Sequence, residues 1–390
     1  MLSRVPPRRL APLPPASLPG LEVHHEAETG RTWQDTFQDQ LDVPFPDGVP
    51  QFRFLVHYPE ERGRDHQDAM LIITANHCVC DGRSLEILCA QLLVRLAEDE
   101  GPTASAPPPL HSSAPSSLIA HHDLDAISQP AQTSVRYASA TDSFRLDSYS
   151  GEGSRMRLLY HRLAQAEVDA LRGACRKHGV TVSSALLAAL AAALGPLTTA
   201  EAKDVMGIQC CVDLRRYFTP ETRTAIGNMY SMPTLTVPTR KDGSSTWKDV
   251  HNMYEQLLWY LDNKEGLHAL KDDPMPNLLM AEKMSGHIVD DNNHGRHFFP
   301  GLSNLGTINM SAVRRQEDGS ISEVEALSVN EFWFASRHER VGPIVMLCAA
   351  SIPGQGMFLT LNHSQPTIAS ATANTLLERI FNLLSHFQNG

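Results

Sequence analysis

The chain has 390 residues, of which 42% are hydrophobic, and its 33 basic and 44 acidic side chains give a formal net charge of −11. This length allows a sizeable core in one or two domains. The acidic balance disfavours nucleic acid and anionic lipid as partners. No run of 18 apolar residues occurs, so the sequence predicts no membrane span.

The chain begins with a proline-rich segment, residues 1–20, that has no apolar stretch and is predicted to be a disordered tail. Residues 31–41 predict a short helix with Thr32 as its N-cap. The alternating pattern of residues 51–58 predicts a strand, and the apolar, β-branched run at 69–77 predicts a buried one.

Leucines recur every three or four residues after Asp81, which predicts a helix over about 84–98, capped by Ser84 or Asp81. Residues 100–152 include a Pro/Ser/Ala-rich stretch typical of a flexible connector. The connector separates an N-terminal lobe, residues 21–99, from a C-terminal lobe, residues 153–390.

The C-terminal lobe mixes strands and helices without regular βαβ alternation, which predicts the α+β class. The expected strands are 155–163, 204–214, 344–351 and 356–364, and the expected helices are 164–179, 180–194, 245–263 and 371–387.

Seven cysteines occur, an odd number, and most lie in apolar segments such as EILCAQLL (86–93) and IVMLCAA (344–350). This pattern predicts buried free thiols and not a disulfide framework. Free thiols are typical of a reducing compartment, so we expect a cytoplasmic protein.

The stretch NHCVCDG (76–82) places a histidine at the end of a predicted strand and an Asp-Gly pair before a helix. An imidazole there can accept a proton from a hydroxyl or amine and return it. Asp81 is expected to fix the loop by pairing with an arginine, and Gly82 to allow a positive φ or a close backbone approach. A plainer interpretation also fits: His77 ends a strand and Asp81 caps a helix.

The longer segment ITANHCVCDGRSLEILCAQLL (73–93) resembles the active-site segment of the condensation-domain-like, chloramphenicol-acetyltransferase-fold acyltransferases. These include BAHD, alcohol acetyltransferase and polyketide-associated relatives. Their motif is often His-His-x-x-x-Asp-Gly, and its second histidine is the general base. The resemblance assigns that role to His77; Asn76 replaces the first histidine.

Other segments resemble the same family in the same order, over roughly residues 45–390. Residues 171–194 are similar to a helix pair and 211–231 to the segment whose arginine pairs with the motif aspartate. Arg215 is the candidate for that arginine, with Arg216 next to it. The stretch GLSNLGTI (301–308) resembles a strand at the family's channel and carries Ser303 and Asn304.

The resemblance implies two chloramphenicol-acetyltransferase-like lobes that form a V with a central tunnel. A strand and helix that precede this point in the family are expected to be missing or replaced, so the N-terminal lobe is expected to be shortened. An acyl thioester, on coenzyme A or a carrier protein, would meet a small hydroxylated metabolite or, less readily, an amine. Backbone amides near Gly82, with Ser303 or Asn304, would stabilise the oxyanion.

The expected protein is therefore a monomeric O-acyltransferase with acyl-CoA as co-substrate and no permanently bound cofactor. A zinc site built from His77, Cys78 and Cys80 is not predicted, since structural zinc sites favour Cys-x₂-Cys pairs. Arg215 could instead be a surface residue, and Ser303-Asn304 a turn at a strand end. Two other functions stay open: a non-catalytic binding or scaffold protein, and a tunnel enzyme for a non-acyl reaction such as cyclisation.

Overall fold

The computed structural model describes residues 22–25, 30–46, 51–58, 69–77, 79–98, 155–198, 205–267, 300–312, 327–337 and 343–389. These residues form a small lobe, before residue 99, and a large lobe, from residue 155. The tail predicted for 1–20 and the connector predicted for 100–152 lie outside the described residues.

The small lobe combines a three-stranded sheet with two helices. Its elements are β1 (Glu22–His25), α1 (Trp33–Asp42), β2 (Phe52–Tyr58), β3 (Met70–Ala75) and α2 (Gly82–Glu98). The strand order is β1-β2-β3, with β1 parallel to β2 and β2 antiparallel to β3. A capping box fixes the start of α1: Thr32 Oγ1 accepts from Asp35 N, and the Asp35 carboxylate accepts from Thr32 N.

The large lobe is built on a six-stranded mixed sheet of order β4-β13-β12-β9-β5-β8. Its strands are β4 (Arg155–Leu163), β5 (Val205–Cys210), β8 (Thr234–Pro238), β9 (Gly301–Thr307), β12 (Val345–Ile352) and β13 (Gly356–Gln365). Two short pairs flank it, β6 (Val212–Asp213) with β7 (Tyr230–Ser231) and β10 (Ser311–Ala312) with β11 (Leu327–Ser328). The helices are α3 (Gln165–Lys177), α4 (Val182–Leu194), α5 (Trp247–Asp262) and α6 (Ser370–Asn389).

The core of the large lobe lies between this sheet and its helices. Helix α4 is rich in alanine and leucine, strong helix formers, and all its residues from Ser184 to Leu194 are buried. A helix that is apolar on every side belongs in a core. All of β12 and nearly all of β13 are buried as well, so the sheet is covered on both faces. The expected α+β class is confirmed.

Aromatic side chains join the two lobes. Trp33 of α1 packs edge-on against Tyr160 of β4, with ring centroids 5.4 Å apart, and contacts Trp333 at 6.0 Å. Trp333 in turn meets Phe358 of β13 at 5.0 Å. Arg337 donates to the Leu41 carbonyl at the end of α1. These contacts hold the small lobe against the large sheet at β4 and β13.

Within the described ranges, no single helix is long and apolar enough to cross a membrane. Helices α3 and α4 reach the required length and hydropathy only as a pair bent by 100°, and α4 is the core helix just described.

Candidate functional site

The candidate site lies where β3 ends and α2 begins. Asn76 N donates to Gln51 O at 3.0 Å, and Val79 N donates to Asn76 O at 3.0 Å, which closes a turn around His77. The side chain of His77 is exposed. Asp81 Oδ1 accepts from Ser84 N at 2.8 Å, so Asp81 is the N-cap of α2 and Ser84 is its third residue.

Asp81 also forms a buried ion pair across the lobes. Arg215 Nη1 donates to Asp81 Oδ2 at 2.9 Å and Nη2 to Oδ1 at 3.1 Å, a bidentate geometry. The two residues are only 5% and 2% exposed. Arg215, and not Arg216, is therefore the arginine that meets the motif aspartate.

The guanidinium of Arg215 is held on all sides. It donates to Asp213 Oδ1 at 3.1 Å, to the Ala225 carbonyl at 3.1 Å and to Ser84 Oγ at 2.8 Å. Burial by itself lowers the pKa of Arg215, but the hydrogen bonds and charges of Asp81 and Asp213 together outweigh it and raise the pKa above its ordinary value. The pair is therefore a fixed, charged link between the lobes.

Residues 227–230 of the large lobe form hydrogen bonds with the same turn. These roles were not predicted from the sequence. Asn228 Nδ2 donates to the carbonyl of His77 at 3.0 Å. Met229 N donates to Asp81 Oδ2 at 2.8 Å, and Gly227 exchanges hydrogen bonds with Ser84 Oγ. The backbone of His77 is thus fixed from the opposite lobe.

A cavity of about 1130 Å³ lies between the lobes and brings together His77, Asp81, Gly82, Tyr230 and Ser303 in its lining. The ring of Tyr230 lies 5.5 Å from that of His77, centroid to centroid. Burial raises the pKa of Tyr230 to about 12, so its phenol is protonated at neutral pH.

Three cysteines, Cys80, Cys89 and Cys211, line the cavity, and burial raises the pKa of Cys89 to about 11. Burial raises the pKa of Cys80 to about 12 and that of Cys211 to about 11. The Cys211 thiol shares a hydrogen bond with Ser303. Because the thiolate is the nucleophile, these neutral thiols are poorly suited to covalent catalysis. No group of three or more metal-ligating side chains occurs among the residues that the structure describes.

The structure contradicts one of the two reasons expected for Gly82, the positive φ. This residue begins α2 and is not among the glycines with positive φ. A Cβ at this position would lie 3.5 Å from Leu305 Cδ2 and 3.8 Å from Phe334 Cε2, which are ordinary contacts. A larger side chain at residue 82 would therefore extend toward these neighbours without straining the backbone.

The expectation for Asn304 also needs correction. Its amide donates to Ser183 Oγ at 2.9 Å, and its carbonyl oxygen accepts from Gly306 N at 2.9 Å. Asn304 is absent from the residues described around the cavity. The amide nitrogen thus ties β9 to α4 and the carbonyl oxygen is used within β9, while Ser303, one residue earlier, lines the cavity.

Comparison with known proteins finds similar structures but no similar sequences. No family model matches the sequence, and no curated protein matches it. Among solved structures, the chain is similar to TRI3 trichothecene 15-O-acetyltransferase from Fusarium sporotrichioides, with 12% identity, a TM-score of 0.68, and coverage of 94% of this chain and 76% of the other.

Two further structures share the fold. The epimerization domain from the third module of tyrocidine synthetase B has 12% identity and a TM-score of 0.60, over 95% of this chain and 79% of its own. The EpoB NRPS cyclization-docking bidomain from Sorangium cellulosum has 14% identity and a TM-score of 0.58, over 94% and 70%. The chain therefore shares the two-lobed condensation-domain and chloramphenicol-acetyltransferase fold of these structures.

Proposed function

We propose that the protein is an acyltransferase that moves an acyl group from a thioester to a hydroxyl, or less readily an amine, of a small metabolite. The observation that carries this proposal is the position of His77. It lies beside a cavity between the lobes, on a turn fixed by the Asp81–Arg215 pair and by Asn228. A general base needs such a held backbone with a ring facing substrate.

In the proposed reaction, the hydroxyl oxygen of the acceptor attacks the thioester carbonyl while His77 takes the proton of that hydroxyl. The tetrahedral oxyanion receives hydrogen bonds from the backbone at Gly82 and from Ser303. The intermediate then collapses, the carbon–sulfur bond breaks, and the proton on His77 passes to the departing thiolate. The products are an ester and a free thiol; the step requires neither a metal nor an acyl-enzyme.

Acyl-CoA is the proposed donor, and a carrier-protein thioester is the alternative donor. Several similar structures carry the names of nonribosomal peptide or trichothecene enzymes, which favours a role in secondary metabolism. Those names include epimerization and cyclization, so the fold by itself does not select the reaction and the assay has to detect the thiol product.

The test is thiol release from a panel of acyl-CoAs and acyl-pantetheines, with and without a metabolite extract of the source. We expect extract-dependent release that falls about 10²–10⁴-fold in His77→Ala, the usual range for loss of a general base. His386→Ala is the matched control, because His386 is exposed on α6 and does not line the cavity.

Equal release from wild type and His77→Ala would contradict the role of His77. Silence of the folded wild type with the whole panel and with carrier-protein thioesters, which are assayed next, would contradict acyl transfer. Consumption of an extract component without thiol release would then point to another reaction, and binding without any product to a scaffold role.

A further inference from the structure

The cavity has two chemically different parts. Around His77 its lining is polar, with Tyr230 and Ser303. The same cavity is bordered by what we term the aromatic compartment: Trp33, Phe37, Leu41, Phe45 and Trp333. Trp33 and Trp333 pack on β4 and β13, at the opposite edge of the large sheet from β5, which leads into Cys211.

The side chains of the aromatic compartment are large and apolar, yet each is only partly buried. Proteins usually bury large apolar side chains in the core. Where such side chains instead line a concave site and stay partly exposed, the site is typical of a ligand-binding pocket. The indole N–H of Trp333 already donates to Glu331 Oε2 at 2.9 Å. The compartment therefore offers a ligand mainly apolar contact.

The charged side chains described around the cavity already have protein partners. Asp81 is paired with Arg215, Glu331 accepts from Trp333, and Arg337 donates to the Leu41 carbonyl. A charged ligand group in the compartment would need a partner to offset its lost hydration. The described residues thus favour a neutral, apolar occupant.

The extent of the cavity follows from β3, whose six residues all belong to its lining. A strand advances about 3.3 Å per residue, so Met70 lies about 16 Å from Ala75. His77 follows two residues after Ala75. The cavity therefore extends well beyond the reacting atoms, further than an acetyl group would fill.

We infer that the aromatic compartment binds an extended apolar group of the substrate, attached to the carbon or oxygen that reacts at His77. The inference rests on the proposed function for the reacting atoms. The apolar group belongs either to the acyl chain of the donor or to the acceptor, since both meet at His77, and the same contacts would hold it in either case.

The test is binding, which does not depend on turnover. Two probe series are titrated into the full chain by calorimetry: S-alkyl-CoA thioethers from ethyl to hexadecyl, and primary alcohols from butyl to hexadecyl. We expect affinity to rise about fourfold for each added methylene, the value for burial of one CH₂, until the compartment is full. The series that shows the rise identifies which substrate carries the group.

Two variants test the location. Leu41→Gln is expected to flatten the rise, and Ala335→Phe, also at the cavity, to stop it at a shorter chain. Leu258→Gln is the matched control, because Leu258 is 41% exposed on α5 and away from the cavity. Circular dichroism verifies that each variant is folded.

A flat response in both series, or a rise that neither cavity variant alters, would overturn the inference. Thiol release by the wild type would stand in either case, because a short donor and acceptor need only the polar end. Conversely, the protein could show an affinity that rises with chain length but no thiol release. That result would support the apolar binding site and contradict the proposed reaction.

Discussion

The two lobes are stabilised in different ways. The large lobe has an extended core in which β12 and α4 are almost entirely buried. In the described small lobe, only Leu55, Ile72 and Cys80 are fully buried hydrophobic residues. The small lobe instead depends on its contacts with the large one, above all the Asp81–Arg215 pair. The scaffold and the candidate general base thus belong to different lobes, which are joined by the polar contacts at Asp81 and by the aromatic contacts of Trp33.

Breaking the ion pair should have the largest effect. Asp81→Asn leaves the buried Arg215 without its main partner, which typically costs about 3–5 kcal/mol. We expect the loss to appear first in β3 and α2, as faster amide hydrogen exchange measured by mass spectrometry, while β12 and β13 keep their protection.

Asp39→Asn is the control for this variant. Asp39 pairs with Arg31 at the surface of the small lobe, and exposed pairs contribute about 0–1 kcal/mol. Uniform loss of protection in both lobes of Asp81→Asn would contradict the view that the pair serves mainly the small lobe.

A substitution that opens a cavity in the core of the large lobe should lower the stability of the whole lobe. Leu190→Ala removes a fully buried side chain of α4 and should lower the free energy of unfolding by about 2–5 kcal/mol. Urea denaturation measures this change, with Leu258→Ala as the exposed counterpart. Similar losses in the two variants would show that α4 is not central to the core.

The hydrogen bond from Asn228 to His77 also joins the lobes, but it involves no charged group. It therefore allows an uncharged contact between the lobes to be compared with the Asp81–Arg215 pair. Asn228→Ala loses one hydrogen bond to the His77 carbonyl, a net contribution of about 0.5–1.5 kcal/mol. If that contribution positions the base, thiol release should fall about three- to tenfold with little change in melting temperature.

Asn263→Ala provides the comparison for Asn228→Ala. Asn263 makes the same kind of bond, to Trp259 O on α5, far from the cavity. It should leave the rate of thiol release unchanged. An equal fall in both variants would mean that Asn228 has no special role.

Acid should weaken the large lobe slightly. Burial lowers the pKa of His363, whose Nδ1 meets the Ile368 carbonyl at 3.0 Å, with the charge of Arg157 adding to the shift. The unfolded chain therefore binds a proton more readily. The stability that neutral His363 contributes is complete above its unfolded pKa of about 6.5 and declines as pH falls below that value.

The slope should be at most about 1.4 kcal/mol per pH unit for this single group. Urea denaturation at several pH values between neutral and mildly acidic measures it, and His363→Gln should reduce it. His386→Gln, at an exposed position, should not. An unchanged slope in His363→Gln would assign the acid sensitivity elsewhere.

Local sequence signals predicted the local structure well. The Thr32 cap, the strand at 155–163 and the alanine-rich helix of α4 all occur within a few residues of their expected bounds. Each depends on neighbours in sequence, such as a capping box or a run of strong helix formers. The same holds for the turn at His77, since a strand, an Asp-Gly pair and a helix follow one another directly.

Contacts between distant segments were harder to predict. β1 pairs in parallel with β2, and nothing in its four residues specifies that partner. Asn228 and Tyr230 lay within a segment already singled out for Arg215, yet their approach to His77 depends on how the lobes dock. The aromatic run EFWF (331–334) was the one available signal for the cavity lining, because three adjacent aromatic residues in an irregular segment are unusual for a core.

The pairing of β4 with β13 has a consequence for synthesis of the chain. β4 is the first strand of the large sheet and β13 the last, and Arg162 even donates to the carbonyl of Gln355, 193 positions later. On the ribosome, β4 emerges long before its partner and must wait with an open edge. Such non-local closure is slow, and an unpaired edge invites association with other chains. In the nascent large lobe, the edge of β4 therefore stays exposed until β13 has been synthesised.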